Sequence, residues 1–299
     1  MMKLLYTDGL LLIAFIAQAA TFEVGPSKNY TMPSQVSNLV GHGDTVLIDA
    51  GTYSGDACAW TKDNLVIKGV GGMAHLKADG AYAQGKAIWV VQGDNYFIEN
   101  IEFSGASVPD NNGAGIRQEG TNITIKHCYF HDNENGILTT DDANSTVKIL
   151  YCEFARNGYG DGYTHNMYIN HVKRFVIKYC YTHHSNIGHT IKSRAHQNEI
   201  LYNRIMDEAD GNASMLIDLP NGGFSVIMGN VVQQGPDATN KRVVSYGGEG
   251  FSNPSKTLYV VNNTFVNERH TGTGVFVAQG GSAFLYNNIY TGKGSLLDG

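Results

Sequence analysis

The chain has 299 residues, of which 42% are hydrophobic and only 16% are charged, and its formal net charge is −6. This composition excludes a disordered tail protein, and a collagen is excluded because the 36 glycines follow no three-residue period. The glycines together with 27 asparagines favour a chain of many tight turns, so an all-helical fold is not expected.

The first twenty residues have the pattern of a secretion signal. Lys3 precedes an apolar stretch at 10–16, and Ala17-Gln18-Ala19 follows as a small-residue cleavage site. A short buried strand or helix is the alternative for this segment. No later stretch approaches the roughly 18 apolar residues of a membrane span. We therefore predict a signal peptide over 1–20 and a secreted or periplasmic domain over 21–299, with no membrane span.

Beyond that segment, residues 32–40 have helical spacing and predict a short helix. Two strand-like segments follow it, GDTVLIDAGTY at 43–53 and DNLVIKGVGG at 63–72. Both alternate apolar and polar residues and end in glycine-rich turns.

Internal repetition dominates the rest of the chain. In seven segments an aliphatic residue is followed three positions later by Cys or Asn, and two positions further on by an aromatic or β-branched residue. The repeat length averages about 27 residues, which is typical of one coil of a β-solenoid. The middle residues of the seven segments are Cys128, Cys152, Cys180, Asn203, Asn230, Asn263 and Asn288.

One such coil cannot bury its apolar side alone, so coils must stack on one another. Stacking at the interstrand spacing of roughly 4.8 Å places equivalent side chains above each other. We expect the asparagines to form an inward ladder that binds the turn backbone, and the three cysteines to fill the core rather than to bind metal or form disulfides.

The helix and the Gly-Asp-Thr-Val strand that follows it resemble the opening of the pectate-lyase-like superfamily. Together with the coil repeat, the resemblance covers nearly all of residues 21–290. It implies an all-β fold, a right-handed single-stranded parallel β-helix with a short N-terminal capping helix. The last coil ends in GKGSLLDG without an amphipathic helix, so a loop, a second molecule or further chain is expected to cover its edge.

Another strand in each coil carries polar side chains on alternate positions. In HNMYIN at 165–170 and GHTIKSR at 188–194, alternation turns the aliphatic residues inward. The outward side chains of stacked strands form a long shallow surface that suits an extended polymer. The expected outward residues are Asn166, Tyr168 and Asn170 on one coil and Thr190, Lys192 and Arg194 on the next.

Charge singles out part of this surface. Residues 163–198 contain five Lys or Arg and six of the eleven histidines, but no Asp or Glu. A positive patch on an acidic protein suggests an anionic ligand, although an accidental solvated charge run is the alternative. We expect no nucleic acid, because the chain is acidic and has no identifiable reading module. An anionic polysaccharide of uronic acids is the predicted partner.

The distinctive reaction of a uronic acid is loss of the C5 proton beside its carboxylate. That carboxylate must be neutralised by Arg, Lys, protonated His or a bound cation such as calcium. A lysine among other cations can act as the base, and Tyr or His can protonate the departing O4. The predicted catalytic residues are Lys192, Arg194, His189, Tyr168 and His165.

The segment GHTIKSRAHQNEILYN at 188–203 resembles chondroitinase-B-like and alginate lyases, in which an outward lysine before Ser is the base. Lys192 matches that lysine. The calcium-binding glutamates that the family has before it are absent here, and the family's arginine one coil later falls near Asp218. These departures leave two alternatives open, a variant in which Arg194 or a histidine neutralises the substrate without calcium, and a site that binds calcium.

Further residues of the surface are predicted to bind substrate. Asp218 and Asn221 are candidates for sugar hydroxyls, and Arg117 either pairs with Glu119 or forms a distal subsite. The predicted substrate-binding residues are Asn166, Asn170, Arg117, Asp218 and Asn221. The alternatives are ordinary solvated side chains for Lys192 and Arg194, hydrogen-bonded turn histidines for His165 and His189, and a sugar-stacking platform for Tyr168.

We therefore predict a polysaccharide lyase that cleaves a uronate polymer by β-elimination. A C5 epimerase is the nearest alternative, because it shares the proton abstraction. A non-catalytic carbohydrate-binding or adhesin solenoid is favoured if the outward side chains do not converge. A hydrolase would require two or three carboxylates on the groove, where only Asp218 is evident.

Overall fold

A computed structural model describes residues 19–299 and contains 29 strands and one single-turn helix, α1, at Ser34–Ser37. In chain order, the strands are β1 Thr21–Val24, β2 Thr45–Ser54, β3 Cys58–Trp60, β4 Val66–Lys77, β5 Ala87–Val91, β6 Tyr96–Glu99, β7 Ile101–Ser104, β8 Ala114–Gln118, β9 Ile123–Lys126, β10 Tyr129–His131, β11 Asn135–Thr139, β12 Asp142–Leu150, β13 Glu153–Ala155, β14 Met167–Ile169, β15 Val172–Lys178, β16 Tyr181–His183, β17 Ile191–Ser193, β18 Gln197–Leu201, β19 Arg204–Met206, β20 Ile217–Leu219, β21 Phe224–Met228, β22 Val231–Gln234, β23 Arg242–Tyr246, β24 Thr257–Val261, β25 Thr264–Asn267, β26 Thr273–Val277, β27 Ser282–Tyr286, β28 Ile289–Gly292 and β29 Ser295–Asp298.

The strands wind into a right-handed parallel β-helix of about ten coils, which confirms the predicted fold. A complete coil has three strands, such as β9, β10 and β11. The first two belong to a 19-stranded sheet, and the third belongs to a ten-stranded sheet that runs from β3 to β29. All named strand pairs are parallel, so each residue has an equivalent in the coil above and in the coil below.

The N-terminal helix is shorter than the spacing over 32–40 predicted. It spans one turn; its N-cap residue, Pro33, has no capping side chain, and the Asp56 carboxylate accepts the Ser34 backbone N–H at 3.1 Å instead. Val36 and Val40 nevertheless pack into the apolar core, which is the contact that residues 32–40 were expected to make. Residues 1–18 of the predicted secretion signal lie outside the described residues, so the signal stays a prediction. Within 19–299, no helix is long and apolar enough to cross a bilayer.

The predicted ladder of Asn and Cys is present at the bend between the first two strands of each coil. The Asn203 backbone N–H donates to Asn230 Oδ1 at 2.8 Å, and the Asn230 N–H donates to Asn263 Oδ1 at 2.9 Å. Cys128 and Cys152 occupy the same position and are buried as free thiols. There the N–H of Cys128 lies 3.4 Å from the sulfur of Cys152. The ladder therefore satisfies backbone groups that the bend removes from the sheet.

The residue before each ladder position adopts a left-handed backbone conformation, which costs a non-glycine residue about 1–2 kcal/mol. The ladder hydrogen bonds hold the chain in this bend coil after coil, so the cost is offset at every repeat. The positive-φ residues before the seven ladder positions are His127, Tyr151, Tyr179, Tyr202, Gly229, Asn262 and Asn287.

Aromatic rings stack along the inside of the solenoid. The rings of Phe103, Phe130 and Phe154 come from β7, β10 and β13 and are fully buried. Their centroids are 5.0 Å and 4.7 Å apart, with nearly parallel planes. Because one coil rises by the interstrand distance, equivalent rings stack face to face without any change of rotamer. The core thus fixes the register on which the outer surface depends.

Candidate active site

Register on the ten-stranded sheet places several predicted residues in one outward row. Tyr168 of β14 pairs with Lys192 of β17, and Lys192 pairs with Asp218 of β20. Two coils before Tyr168, the same row begins with Arg117 of β8 and continues through Leu138. Adjacent members are about one interstrand spacing apart, roughly 4.8 Å. The prediction that Tyr168 and Lys192 lie on neighbouring coils is therefore confirmed by the pairing.

Arg194 joins this row from the end of β17. Its Nε donates to the Tyr168 hydroxyl at 2.8 Å, and its Nη1 donates to Asn221 Oδ1. The Lys192 ammonium lies 5.5 Å from the centre of the Tyr168 ring, and the guanidinium lies 5.7 Å from it. Two cations within about 6 Å of one ring centre are a stabilising cation–π arrangement. The structure therefore brings Tyr168, Lys192 and Arg194 together, as the sequence predicted.

Glu249 completes the cluster from the loop after β23. Its carboxylate lies 2.7 Å from Arg194 Nη2 and 3.4 Å from Lys192 Nζ. Burial raises the pKa of Glu249, but the hydrogen bond from Arg194 and the charges of Lys192 and Arg194 outweigh burial, so the pKa lies below its ordinary value. Lys192 and Arg194 thus form a binding site for one carboxylate.

Asp218 lies under this ion-pair network and is almost completely buried. Its carboxylate is 3.9 Å from Lys192 Nζ and 3.6 Å from His189 Nε2. Burial raises the pKa of Asp218 from 3.8 to about 6, and the nearby charges of Lys192 and Arg194 only partly oppose that shift. A buried carboxylate in this position attracts the Lys192 ammonium from beneath the ion-pair network. The prediction that it binds sugar hydroxyls is not supported, because its side chain is only 5% exposed.

His165 and His189 form a stacked pair behind Tyr168, with ring centroids 4.9 Å apart. His165 Nδ1 accepts the backbone N–H of His189 at 2.9 Å, and His189 Nδ1 accepts that of Met215 at 3.3 Å. Each neutral ring therefore carries its proton on Nε2. Burial, and then the charge of Lys192, lowers the pKa of His189 to about 3. Burial likewise places the pKa of His165 well below its ordinary value.

These values change the roles predicted for the two histidines. A histidine with a pKa near 3 is neutral at ordinary pH, so it cannot neutralise a substrate carboxylate by charge. His165 instead packs edge-on against the Tyr168 ring, with centroids 5.7 Å apart. His165 therefore supports the tyrosine directly, and His189 supports His165 by stacking on it, as in the alternative of hydrogen-bonded turn histidines.

A groove extends from Tyr168 towards the N-terminal coils. It encloses about 450 Å³ and is lined by Arg117, Tyr163, Tyr168 and Asn170, among others. Arg117 Nε lies 4.0 Å from Glu119, and within residues 19–299 this nitrogen has no hydrogen-bond partner. Tyr163 is the most exposed large side chain of this groove, at 82%. The Arg117 Nε is buried and the side chain is 24% exposed, so only its outer part faces the groove, beside Asn170. The substrate-binding role of both residues stays a prediction.

After Asp218, Asn166 is a second predicted substrate-binding residue that the structure contradicts. Asn166 is completely buried, and so is Thr190, its equivalent on the next coil. Each lies just before its strand, β14 or β17, so the alternation of side-chain directions within a strand does not apply to it. The Asn166 Oδ1 accepts the Asn157 backbone N–H at 3.1 Å, and its Nδ2 donates to the His183 carbonyl at 2.9 Å. Asn166 thus stabilises the turn from inside and is not available to a ligand.

The predicted positive patch is also corrected. Arg174 and Lys178 lie on β15 in the larger sheet, where both face Glu199. His171 is 3.0 Å from Asp141 and is likewise paired. Consecutive residues of a coil point to different sides of the solenoid, so a window of sequence does not form one surface. Of the five basic residues in that window, Lys192 and Arg194 lie beside Tyr168 at the end of the groove, and Glu249 and Asp218 balance their charge.

Glu249 is the residue that the sequence analysis missed. It follows the strand VVSY in the segment GGEG, and glycines with positive φ stand at 247 and 250. The sequence separation from Lys192 is 57 residues, two coils along the solenoid. The sequence pattern alone does not single it out, because Asp161 also lies between two glycines with positive φ, Gly160 and Gly162. Only the loop conformation shows that Glu249 turns back over Lys192.

Calcium does not fit this site. A calcium ion takes six to eight oxygen ligands. The two carboxylates here, from Asp218 and Glu249, already face the cations of Lys192 and Arg194 within 4 Å. A divalent cation would be repelled by the positive charges of Lys192 and Arg194. The calcium-free alternative is therefore the one that these residues allow.

The model of a protein family described as a right handed beta helix region matches residues 56–229, which is more than half of the chain. No curated protein matches the sequence with significance.

Solved structures share the architecture at low sequence identity. Pectate lyase Pel9A matches with a TM-score of 0.69 and 17% identity, covering 95% of this chain and 80% of its own. A pectin methylesterase mutant in complex with a hexasaccharide matches with a TM-score of 0.56 and 10% identity, over 90% and 94%. The ORF18 protein of Geobacillus virus E2 matches with a TM-score of 0.56 and 13% identity, over 89% and 57%. Such similarity establishes the fold and leaves the activity to the site.

Proposed function

The chain belongs to the right-handed β-helix family, and on that premise we propose that it cleaves a uronic-acid-containing polysaccharide by β-elimination. The observation that carries this proposal is the carboxylate held between Lys192 and Arg194, beside the Tyr168 hydroxyl. A site that binds the carboxylate of Glu249 has the charge and spacing to bind the carboxylate of a uronate residue in its place. The similarity to pectate lyase Pel9A supports an anionic polysaccharide as the substrate class.

Substrate binding requires Glu249 to move away. Its side chain is 49% exposed and lies between glycines, so the loop can turn outward without breaking a packed core. The uronate carboxylate then takes the place of Glu249 at Arg194, and the developing negative charge is stabilised there. Displacement also frees Lys192 from its ion pair with Glu249. The form that acts as the base is the neutral amine, whose ammonium proton has passed to solvent.

Two protein groups, Lys192 and Tyr168, account for the proton transfers of the reaction. Lys192 takes the proton from C5, the C5–H electron pair forms the C4–C5 double bond, and the C4–O4 bond breaks. Because Arg194 donates to the Tyr168 oxygen, the tyrosine's own proton is free to pass to the departing O4. His165 and His189 hold the tyrosine ring in place, and Arg117 and Asn170 bind sugar units further along the groove. C5 epimerisation shares the first step but returns a proton to the opposite face of C5.

The direct test measures unsaturated ends. The full chain is incubated with alginate, pectate, hyaluronan, chondroitin sulfate and glucuronan, and the ultraviolet absorbance of C4–C5 double bonds is followed. Release of unsaturated ends from one of these polymers is the expected result. Exchange of the C5 hydrogen with solvent but no unsaturated ends would indicate an epimerase. Neither exchange nor elimination, with retained polymer binding, would indicate a carbohydrate-binding solenoid and would overturn the enzymatic proposal.

Variants assign the roles. Lys192→Ala is expected to abolish elimination, and Tyr168→Phe to lower kcat by about 10²–10⁴-fold, the usual contribution of a general acid. Lys173→Ala is the matched control, because Lys173 is an exposed lysine on β15 in the other sheet. It should leave the rate unchanged. Full activity of Lys192→Ala would show that the base is another group.

A further inference from the structure

A second cluster of chemically competent side chains lies on the larger sheet and shares no residue with the groove. His75 of β4, Glu102 of β7 and His131 of β10 come from three successive coils. One donor atom of each lies within 4.8 Å of the donor atoms of the other two. Glu102 Oε1 is 3.0 Å from His131 Nε2 and 3.5 Å from His75 Nε2.

These distances match the ligand shell of a metal ion. Four donors in a tetrahedral shell, each about 2.0–2.1 Å from zinc, are separated from one another by about 3.3 Å. The two distances from Glu102 Oε1 lie on either side of that value. Two imidazoles and one carboxylate are a ligand set that suits zinc and related transition ions, and three protein ligands leave a fourth position to water.

The surroundings of His131 strengthen this assignment. Asp132 Oδ2 lies 2.6 Å from His131 Nδ1, on the side of the ring away from Glu102. Arg156 in turn holds Asp132 through its Nε at 2.9 Å and its Nη2 at 3.0 Å. A carboxylate on the remote nitrogen of a metal-binding histidine fixes the ring so that its other nitrogen is free to ligate. Such a second layer of support is ordinary for metal sites.

The cluster is also accessible. The side chains of His75, Glu102 and His131 are 22%, 23% and 14% exposed, so an ion can enter without unfolding the coil. Lys77 lies two coils before His131 in the same row, but its ammonium is 2.8 Å from Asp79, which offsets its charge. Ser104 Oγ, 2.7 Å from His75 Nε2, is a further oxygen at the edge of the cluster.

We propose that His75, Glu102 and His131 bind one divalent transition-metal ion, with zinc as the representative ion. The ion would clamp three successive coils of the solenoid, and Asp132 would position His131 for it. The competing interpretation is a protonated histidine that bridges Glu102 and Asp132 without any metal. The two interpretations differ in what they predict for metal stoichiometry.

The test uses the untagged full chain, stripped with chelator and titrated with zinc. Calorimetry and native mass spectrometry should give one bound ion per chain, and the melting temperature should rise with zinc concentration. Cobalt in place of zinc should give the intense visible absorption of a four-coordinate ion with histidine ligands. Absence of a saturable equivalent, or of that cobalt spectrum, would leave only the histidine–carboxylate network and overturn the proposal.

Variants locate the ion. Glu102→Gln and His75→Gln preserve side-chain size, and each should weaken zinc binding by at least 10-fold. Asp132→Asn should weaken it by about 10–100-fold, as expected for a residue that positions a ligand. The control is His127→Asn, a surface histidine of the adjacent bend that is replaced by a residue found there in other coils. It should bind zinc normally, and unchanged binding in folded Glu102→Gln and His75→Gln would refute the site.

Discussion

Replacing one asparagine of the inner ladder tests the architecture that carries both sites. Asn230→Ala removes an amide that makes four hydrogen bonds with adjacent coils. Its Oδ1 accepts the backbone N–H and the Nδ2 of Asn203, and its Nδ2 donates to the Ile200 carbonyl and to Asn263 Oδ1. Asn230 itself is 1% exposed, so water cannot replace those partners without opening the solenoid.

The magnitude follows from the groups left without partners. In Asn230→Ala the N–H of Asn203 and the carbonyl of Ile200 lose the bonds that the amide made to them. A buried polar group left unsatisfied costs about 1–3 kcal/mol, so the variant should lose about 2–6 kcal/mol of unfolding free energy. Asn230→Cys should lose less, because Cys152 and Cys180 show that a thiol fits this position and faces the N–H of the coil before it.

The assay is urea denaturation followed by far-ultraviolet circular dichroism. The unfolding free energies of the three proteins are compared with one common m-value, the slope of free energy against urea concentration. The expected order of stability is wild type, then Asn230→Cys, then Asn230→Ala. A loss below about 1 kcal/mol for Asn230→Ala would refute the claim that the ladder stabilises the bends. Equal losses for Ala and Cys would refute the claim that sulfur substitutes for the amide.

Three further predictions concern the core and the groove. Phe130→Ala should cost about 3–5 kcal/mol by denaturation, because the ring is fully buried between two others; a smaller loss would mean that the stack collapses around the cavity. Burial keeps a proton on Asp218 between about pH 4 and pH 6, where the unfolded chain has lost it, so unfolding free energy falls as pH rises through that window. Relative to wild type, Asp218→Asn should therefore gain up to about 3 kcal/mol from pH 4 to pH 7, and a pH-independent difference would contradict the shift. Glu249→Gln should lower the KM for the polymer by about 5-fold, because an exposed ion pair contributes up to about 1 kcal/mol. Glu199→Gln is the control, and a raised KM in Glu249→Gln would show that Glu249 assists binding.

The repeat made much of the fold predictable. Cys or Asn every 23 to 33 residues, with aliphatic and aromatic neighbours at fixed offsets, is a one-dimensional pattern that only stacked coils satisfy. Strand alternation also placed Tyr168 and Lys192 on the same face, and the repeat length placed them on adjacent coils. Their contact with Arg194 follows from these two regularities. The length of the N-terminal helix was less predictable, because packing of Val36 and Val40 determines it more than local propensity.

Residues outside the strands escaped the same reasoning. Asn166 has the position of an outward residue by alternation, but it precedes β14 and turns inward to bind the bend of its own coil. The basic window at 163–198 divides between two sheets, because consecutive strands of a coil face different directions. The positive charge counted over residues 163–198 is therefore larger than the positive charge at the groove.

The amino-acid sequence by itself determined the solenoid, its inner ladder and the outward row through Tyr168 and Lys192, because these depend on periods that the chain repeats. Only the tertiary structure decided that Glu249 returns across two coils to Arg194, and that His75, Glu102 and His131 meet. Stacking brings residues about 27 positions apart to roughly 4.8 Å. Whether such residues then make contact depends on loop conformations and side-chain directions, and these do not repeat along the chain.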